Sequence, residues 1–249
     1  MLRLEEMGIL PPTEVTLSSD DIHVWIASLD QPAGRVRWLA HLLSADERMR
    51  AERLSFDRQR THFIVGRGVL RAILANYVGA EPSQLQFCYG LHRKPALVDV
   101  CGGRALRFNL SHSDGLALYA VTHDREIGVD LERVRPVADF EQIARRYFTS
   151  GEHAVLCALD AAKQHEAFFN CWTRKEAYLK AIGTGLLQPL DSVEVSLAPG
   201  EPARLLGMRE TRAETEGWSI HELAPAFGYV AALVVKGQGR RVTCRQWWA

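Results

Sequence analysis

Two carboxylates stand two residues apart in Gly128-Val129-Asp130-Leu131-Glu132, and a third lies in Trp172-Thr173-Arg174-Lys175-Glu176-Ala177-Tyr178-Leu179-Lys180-Ala181. The first segment reads as a strand. Residues i and i+2 of a strand share a face, so Asp130 and Glu132 project together while Val129 and Leu131 pack the other way. The second reads as a helix, which sets Trp172, Glu176 and Lys180 on one stripe at i, i+4 and i+8. Three acids and one ammonium, drawn from a strand and a helix, suit a hard divalent cation and a phosphorylated substrate.

Each piece alone is ordinary. An Asp-x-Glu on a strand is most often a solvated face, and a Glu–Lys pair at i, i+4 contributes only ~0.2–0.5 kcal/mol to a helix surface. The setting argues for more. Both segments are embedded in apolar sequence, Leu116 to Val121 before the first and Phe168, Phe169 and Trp172 in the second. Unpaired charge is costly there.

The rest of the chain supplies the elements that must position these groups. Asp21 to Leu29 reads as a strand. Ser44-Ala45-Asp46-Glu47 starts a helix, with a serine cap and acids in the first turn, that runs to about Leu54. A second helix spans about Asp57 to Tyr77, with Phe63, Leu70, Ile73 and Leu74 on its apolar side and Gly66 and Gly68 allowing close packing. Phe87 to Tyr89 and Ala96 to Val98 read as short strands. Ser111 to Gly115 reads as a polar turn before a strand at Leu116 to Thr122, which is followed, hairpin-like, by a strand at Glu126 to Glu132. Helices are expected at Phe140 to Tyr147, Gly151 to Leu159 and Gln164 to Ile182, the last stopped by Gly183-Thr184-Gly185. Val193 to Leu197, Trp218 to Leu223, Tyr229 to Val235 and Val242 to Trp247 complete the chain as mostly antiparallel strands. The order of strand, helices and strands occurs twice, without a strict βαβ rhythm, so the fold class is α+β. No residue-level repeat is visible between the halves.

At 249 residues the chain can bury a full core, as one large domain or two of about 120 residues. The 47% hydrophobic and 24% charged fractions are those of a soluble globular protein, and a formal net charge of zero points to neither nucleic acid nor membrane. Five scattered cysteines without a C-x-x-C pair argue against a disulfide framework and a zinc cluster. The charged start Met1 to Glu6 is unlike a signal peptide, and the longest apolar run, Tyr229 to Val235, is too short to cross a bilayer. A reduced, cytoplasmic protein is expected.

Five segments, in order, resemble the 4′-phosphopantetheinyl transferases, in particular the monomeric Sfp-type class. They are the two acidic motifs, Arg93-Lys94-Pro95, Phe108-Asn109-Leu110-Ser111-His112-Ser113, and Arg146-Tyr147-Phe148-Thr149-Ser150-Gly151-Glu152. The resemblance covers roughly residues 44 to 236. It implies a pseudo-dimer of two similar α+β subdomains, 1–124 and 125–249, with coenzyme A in the cleft between them. It implies transfer of the phosphopantetheine arm to a serine of an apo acyl or peptidyl carrier protein, releasing adenosine 3′,5′-bisphosphate. Asp130, Glu132 and Glu176 would hold Mg²⁺. The base for the serine proton would be Glu176 or a water polarised by it or by Glu132, and Lys180 would neutralise or protonate the leaving phosphate. Arg50, Arg53, Lys94, Pro95, Ser111 and His112, with Lys180, are the candidates for binding coenzyme A.

Two other readings compete. A metal nuclease of the Asp…Glu-x-Lys kind needs a lysine two residues after its second acid, where this chain has Val134. A binding module could dock the arginine-rich stretch Arg48 to Arg71 on RNA or an acidic protein, and would need exposed aromatics on the same face. Phe56 and Phe63 are spaced as core residues instead. Neither nucleic acid nor a membrane is expected as a partner.

Overall fold

The computed structural model describes residues 15–90, 94–98, 105–183, 188–208 and 217–248. The start Met1 to Glu6, Arg93, Cys101, Thr184 and Gly185 lie outside the described residues.

The chain passes twice through one order of elements: a strand, three helices of which the third is long, and two antiparallel strand pairs. The first pass is β1 (Asp21–Ser28), α1 (Ala33–His41), α2 (Ala45–Glu52), α3 (Asp57–Val78), a small hairpin of β2 (Phe87–Tyr89) and β3 (Pro95–Leu97), then β4 (Leu106–Ser113) and β5 (Leu116–His123). The second is β6 (Ile127–Arg133), α4 (Phe140–Tyr147), α5 (Ser150–Ala158), α6 (Ala161–Ile182), the pair β7 (Val193–Val195) and β8 (Leu205–Met208), then β9 (Trp218–Leu223) and β10 (Tyr229–Lys236). The pairing repeats too. One sheet has the order β11-β1-β5-β4, with β11 at Arg241–Gln246, and another has β6-β10-β9. Strands β1-β5-β4 therefore match β6-β10-β9, and β11 is an addition. The fold is α+β, with two similar halves.

Apolar alternation explains the layering. The sheets face each other through Ile22, Val24, Ile26, Leu118 and Ala120 on one side and Ile127, Val129, Leu131, Ala231 and Leu233 on the other. Helix α3 covers the far face of the first sheet with Val65, Val69, Leu70 and Ile73, and α6 covers the far face of the second with Phe169, Ala177 and Ala181. A fully buried Val, Leu or Ile contributes roughly 1.5–3 kcal/mol, so the shared layer alone holds the halves together firmly.

The helices repeat in detail. Both α2 and α5 open with a capping box, Ser44 with Glu47 and Thr149 with Glu152. Both box glutamates are buried, and each meets a cation of the following long helix. Glu47 is bonded by Arg67 and, at 2.5 Å, by Arg71 of α3; Glu152 lies 2.7 Å from Lys175 of α6. Both long helices end on a glycine in the left-handed region, Gly79 (φ 64°) and Gly183 (φ 76°).

Several expectations need correction. Ser111, His112 and Ser113 belong to β4, not to a turn; the reversal is at Asp114 (φ 39°) and Gly115 (φ 87°), the two positive-φ positions of a two-residue hairpin. β5 and β6 form no hairpin, because β6 crosses to the second sheet and pairs with β10. β11 lies parallel to β1, so the C-terminal strand returns to the first sheet. Helix α1 and strand β8 are elements the pattern did not reveal. Phe56 is 68% exposed rather than part of the core. Gly68 does pack closely, as a Cβ there would stand 2.8 Å from that of Leu39.

Candidate functional site

Among the described residues β6 is an edge strand, and its outer edge has no strand partner. Exposed edge amides and carbonyls need other partners. Side chains supply them. Asn109 Oδ1 accepts the Val129 N–H at 2.9 Å and Ser113 Oγ accepts that of Arg133 at 3.2 Å. Lys94 Nζ donates to the carbonyl of Ile127 at 3.0 Å, and Lys180 Nζ to that of Val129 at 3.3 Å. Strand alternation puts Asn109, Ser111 and Ser113 on one face of β4, aimed at this edge.

The helix is brought in by a glycine. A Cβ on Gly128 would lie 2.1 Å from the carbonyl oxygen of Ala177 and 2.4 Å from the nitrogen of Ala181, so only glycine lets β6 rest on the backbone of α6. That contact sets Asp130 against the stripe of α6 that carries Glu176 and Lys180. The neighbouring Lys175 and Arg174 point away and are buried. Lys175 serves Glu152 and the carbonyl of Leu190, while Arg174 donates to Ser196 and Glu222. Half of the second acidic motif is therefore scaffold.

The two strand acids are held alike. Asp130 Oδ1 accepts from Ser111 Oγ at 2.8 Å and from Lys180 Nζ at 2.6 Å, and Lys180 also donates to Ser111 Oγ at 3.1 Å. Among the described residues the buried Asp130 Oδ2 has no hydrogen-bond partner. Glu132 Oε2 accepts from Ser113 Oγ at 2.8 Å and, at 3.4 Å, from Arg135. Burial, and then the negative charges of Asp130 and Glu132, raise the Glu176 carboxyl above the usual range, with Lys180 opposing. Asp130, Glu132, Glu176, Lys180 and Ser111 thus meet along one seam between the halves. Among the described residues, however, no three acid, His or Cys side chains stand as a ready-made metal cluster. The Lys180 ammonium pairs with Asp130 instead.

The remaining candidates are more dispersed. Lys94 and Pro95 line a cavity of ≈ 280 Å³ with Glu126, Ile127 and Gly183. The Lys94 ammonium spreads its three donors over Glu126 and the carbonyls of Ile127 and Ala181. His112 points away from the serines and is exposed; crowding by protein atoms, then the cations Lys180 and His62, lower its pKa. Arg50 lies over the Phe63 ring at 5.1 Å and Arg53 is exposed at the end of α2. Neither touches the acids. Most other arginines of the stretch are tied internally, Arg60 to Asp57, Arg58 to Asp30 and Asp114, and Arg67 and Arg71 to Glu47. Asn109 and Ser113 had not been singled out. Their signal was present, because Asn-x-Ser-x-Ser has the same period as Asp-x-Glu once β4 is extended to Ser113.

Comparison with known proteins gives the family. Residues 126–234 match the model of the 4′-phosphopantetheinyl transferase superfamily, and residues 31–124 match that of a 4′-phosphopantetheinyl transferase N-terminal region. The chain is 43% identical over 236 residues to the 4′-phosphopantetheinyl transferase HetI of Nostoc sp., covering 95% of this chain and 96% of that protein. This chain belongs to the Sfp-type 4′-phosphopantetheinyl transferases. Other relatives are a putative 4′-phosphopantetheinyl transferase of Synechocystis sp., 36% identical with 68% of each chain covered, and Sfp of Bacillus subtilis, 28% identical with 62% of this chain and 66% of that one covered. The boundary between the two family models falls at 124–126, between β5 and β6, where the chain crosses from the first sheet to the second. Among the described residues no helix is long and apolar enough to cross a membrane.

Proposed function

We propose that this transferase moves the 4′-phosphopantetheine group of coenzyme A to a serine hydroxyl of an apo acyl or peptidyl carrier protein, using the seam between β4, β6 and α6. The observation that carries the reading is the pairing of Lys180 with a buried Asp130 whose second oxygen has no partner, beside a glutamate with a raised pKa. The units act as 1–124 and 125–249, with β11 of the second strapped to the first.

The donor set fits Mg²⁺. Asp130, Glu132 and Glu176 offer hard carboxylate oxygens, and the orphaned Asp130 Oδ2 is an acceptor waiting for a positive partner. Bound there, Mg²⁺ would neutralise charge on the coenzyme A pyrophosphate as its bridging bond breaks. Lys180 is 29% exposed at its side chain and can swing from Asp130 to the leaving phosphate. Its departure leaves Asp130 Oδ1 held by Ser111 alone. Glu176 takes the proton of the attacking serine, for which a carboxyl raised toward neutrality is the better base. The serine oxygen bonds to the phosphorus that carries the pantetheine arm, the pyrophosphate bond breaks, and adenosine 3′,5′-bisphosphate departs. Lys94, Pro95, Arg50, Arg53 and His112 are assigned to the nucleotide end, with Ser111 holding Asp130 and Lys180 in place. The protein works as a cytoplasmic monomer, without nucleic acid or membrane.

The test is mass spectrometry on a panel of apo carriers incubated with the protein, coenzyme A and Mg²⁺. At least one carrier should gain one phosphopantetheinyl group with equal release of adenosine 3′,5′-bisphosphate, and chelation should stop it. Glu176→Gln should lower kcat far more than it weakens coenzyme A. Unchanged rates in that variant across a pH series would remove Glu176 from the chemistry.

A further inference from the structure

The hydroxyls of β4 meet the acids of β6 in register. Ser111 lies on Asp130 and Ser113 on Glu132, two residues apart on each strand, and each serine takes one oxygen of its carboxylate. The consequence is the same for both acids. Asp130 keeps Oδ2 without a partner, and among the described residues Glu132 keeps Oε1 without one. A carboxylate pinned through one oxygen has lost most of its rotational freedom and presents the other in one direction.

Ser111 shares this task with Lys180, which bonds the same oxygen. Ser113 does not. The other donor to Glu132, Arg135, is half exposed and reaches Oε2 only at 3.4 Å, so it holds the carboxylate weakly. Ser113 is itself fixed, because its oxygen accepts the Arg133 N–H. The hydroxyl proton is therefore aimed at Glu132.

We propose that Ser113 is a positioning residue, which fixes Glu132 through Oε2 so that Oε1 is the oxygen given to the divalent cation. This rests on the reading that Asp130, Glu132 and Glu176 hold that cation. A serine serving only to satisfy the edge of β6 would affect stability alone.

The test uses Mn²⁺ as a paramagnetic probe of the whole protein, with free ion followed by electron paramagnetic resonance and folding by circular dichroism. Wild type should bind Mn²⁺ saturably. Ser113→Ala should bind it about 10- to 100-fold more weakly, the usual effect of losing a ligand's outer partner. Ser113→Thr, which keeps the hydroxyl, should bind within a few-fold of wild type. Equal affinity in Ser113→Ala, or Ser113→Thr as weak as Ser113→Ala, would overturn the inference while leaving the metal site intact. Absence of Mn²⁺ binding in wild type would overturn the metal reading and the inference with it. Should Ser113→Ala not fold, Ser113→Cys carries the test: its weaker donor should cost several-fold in affinity, and no loss would overturn the proposal.

Discussion

β1 and β6 are the same strand in the two halves, and their outer edges have met opposite fates. Both send aliphatic side chains into the shared layer, Ile22, Val24 and Ile26 from one and Ile127, Val129 and Leu131 from the other. On the opposite faces the correspondence turns His23, Trp25 and Ala27 into Gly128, Asp130 and Glu132. In the first half Tyr77 of α3 answers these residues: its hydroxyl accepts from Trp25 at 2.9 Å and shares a hydrogen bond with His23 Nδ1 at 2.7 Å. In the second half Lys180 of α6 answers Asp130. The edge of β1 is closed by β11 through backbone pairs from Asp21–Arg241 to Ile26–Gln246. That of β6, among the described residues, is closed by side chains. A backbone ladder is permanent, whereas lysines and serines can exchange one partner for a ligand. One scaffold thus yields a sealed structural edge and an open chemical one.

The buried ion pairs show what the halves still share, and they should give the largest effects. Glu47→Ala leaves Arg67 and Arg71 uncompensated, and Lys175→Ala leaves Glu152 so; each should cost about 3–5 kcal/mol in urea unfolding. A large loss from one and none from the other would break the equivalence of the halves.

Asp130→Ala should separate the edges. It removes a functional charge rather than a packing group, and should lower kcat by about 100- to 1,000-fold or more, roughly 2.7–4 kcal/mol, with the melting temperature unchanged or raised. Trp25→Ala, at the matching position, should do the reverse, destabilising the fold while its folded fraction still turns over. Near-wild-type transfer by Asp130→Ala across Mg²⁺ concentrations would end the assignment of the seam.

The next difference is one of pH. Burial first, and then Arg245, hold His23 down to about 4, below its ordinary value of 6.5. The unfolded chain binds this proton more readily, so the contribution is complete above about pH 6.5 and is lost as pH falls toward 4. It amounts to at most about 3 kcal/mol. A His23→Gln variant should show a flatter stability profile over that window; an equal slope would mean other groups set it.

His112 should give the smallest effect. If its imidazole meets the 3′-phosphate, His112→Ala loses a charge-assisted hydrogen bond, roughly 1.5–3 kcal/mol, or about 10- to 150-fold in coenzyme A affinity. The 3′-dephospho analogue should hardly notice. The imidazole gains its charge as pH falls, and because its pKa is lowered, discrimination between the two ligands should grow only as pH falls below the ordinary value of 6.5. Equal penalties for both ligands would move the phosphate to Arg50, Arg53 and Lys94.

Much of this was legible in the chain. The two acidic motifs, the capping signal at Ser44, the two long helices, the glycine stop of the second and the α+β class all follow from spacing, because period and cap chemistry act over a few residues. Asp130, Glu176 and Lys180 could be chosen by type and stripe alone. The turn placed at Ser111 to Gly115 begins three residues too early, and that is the costly misreading. Three polar residues in a row look like a loop, but in β4 the alternate pair Ser111 and Ser113 forms the strand's working face toward the ionisable groups.

Other features required the tertiary structure. Helical spacing cannot say that Arg174 and Lys175 turn inward while Glu176 and Lys180 line the cleft; that depends on where the second sheet and α5 lie. The repeat between halves escaped notice because it is a repeat of roles, a box glutamate against a long-helix cation, with Arg in one half and Lys in the other. Nor does local sequence show that β11 seals β1 while β6 is left to side chains. Strand pairing joins residues over two hundred positions apart, and its choice depends on which edges the packed sheets leave free. The residues of the site were set by the chain's own chemistry. Their convergence at one open edge was decided by the fold.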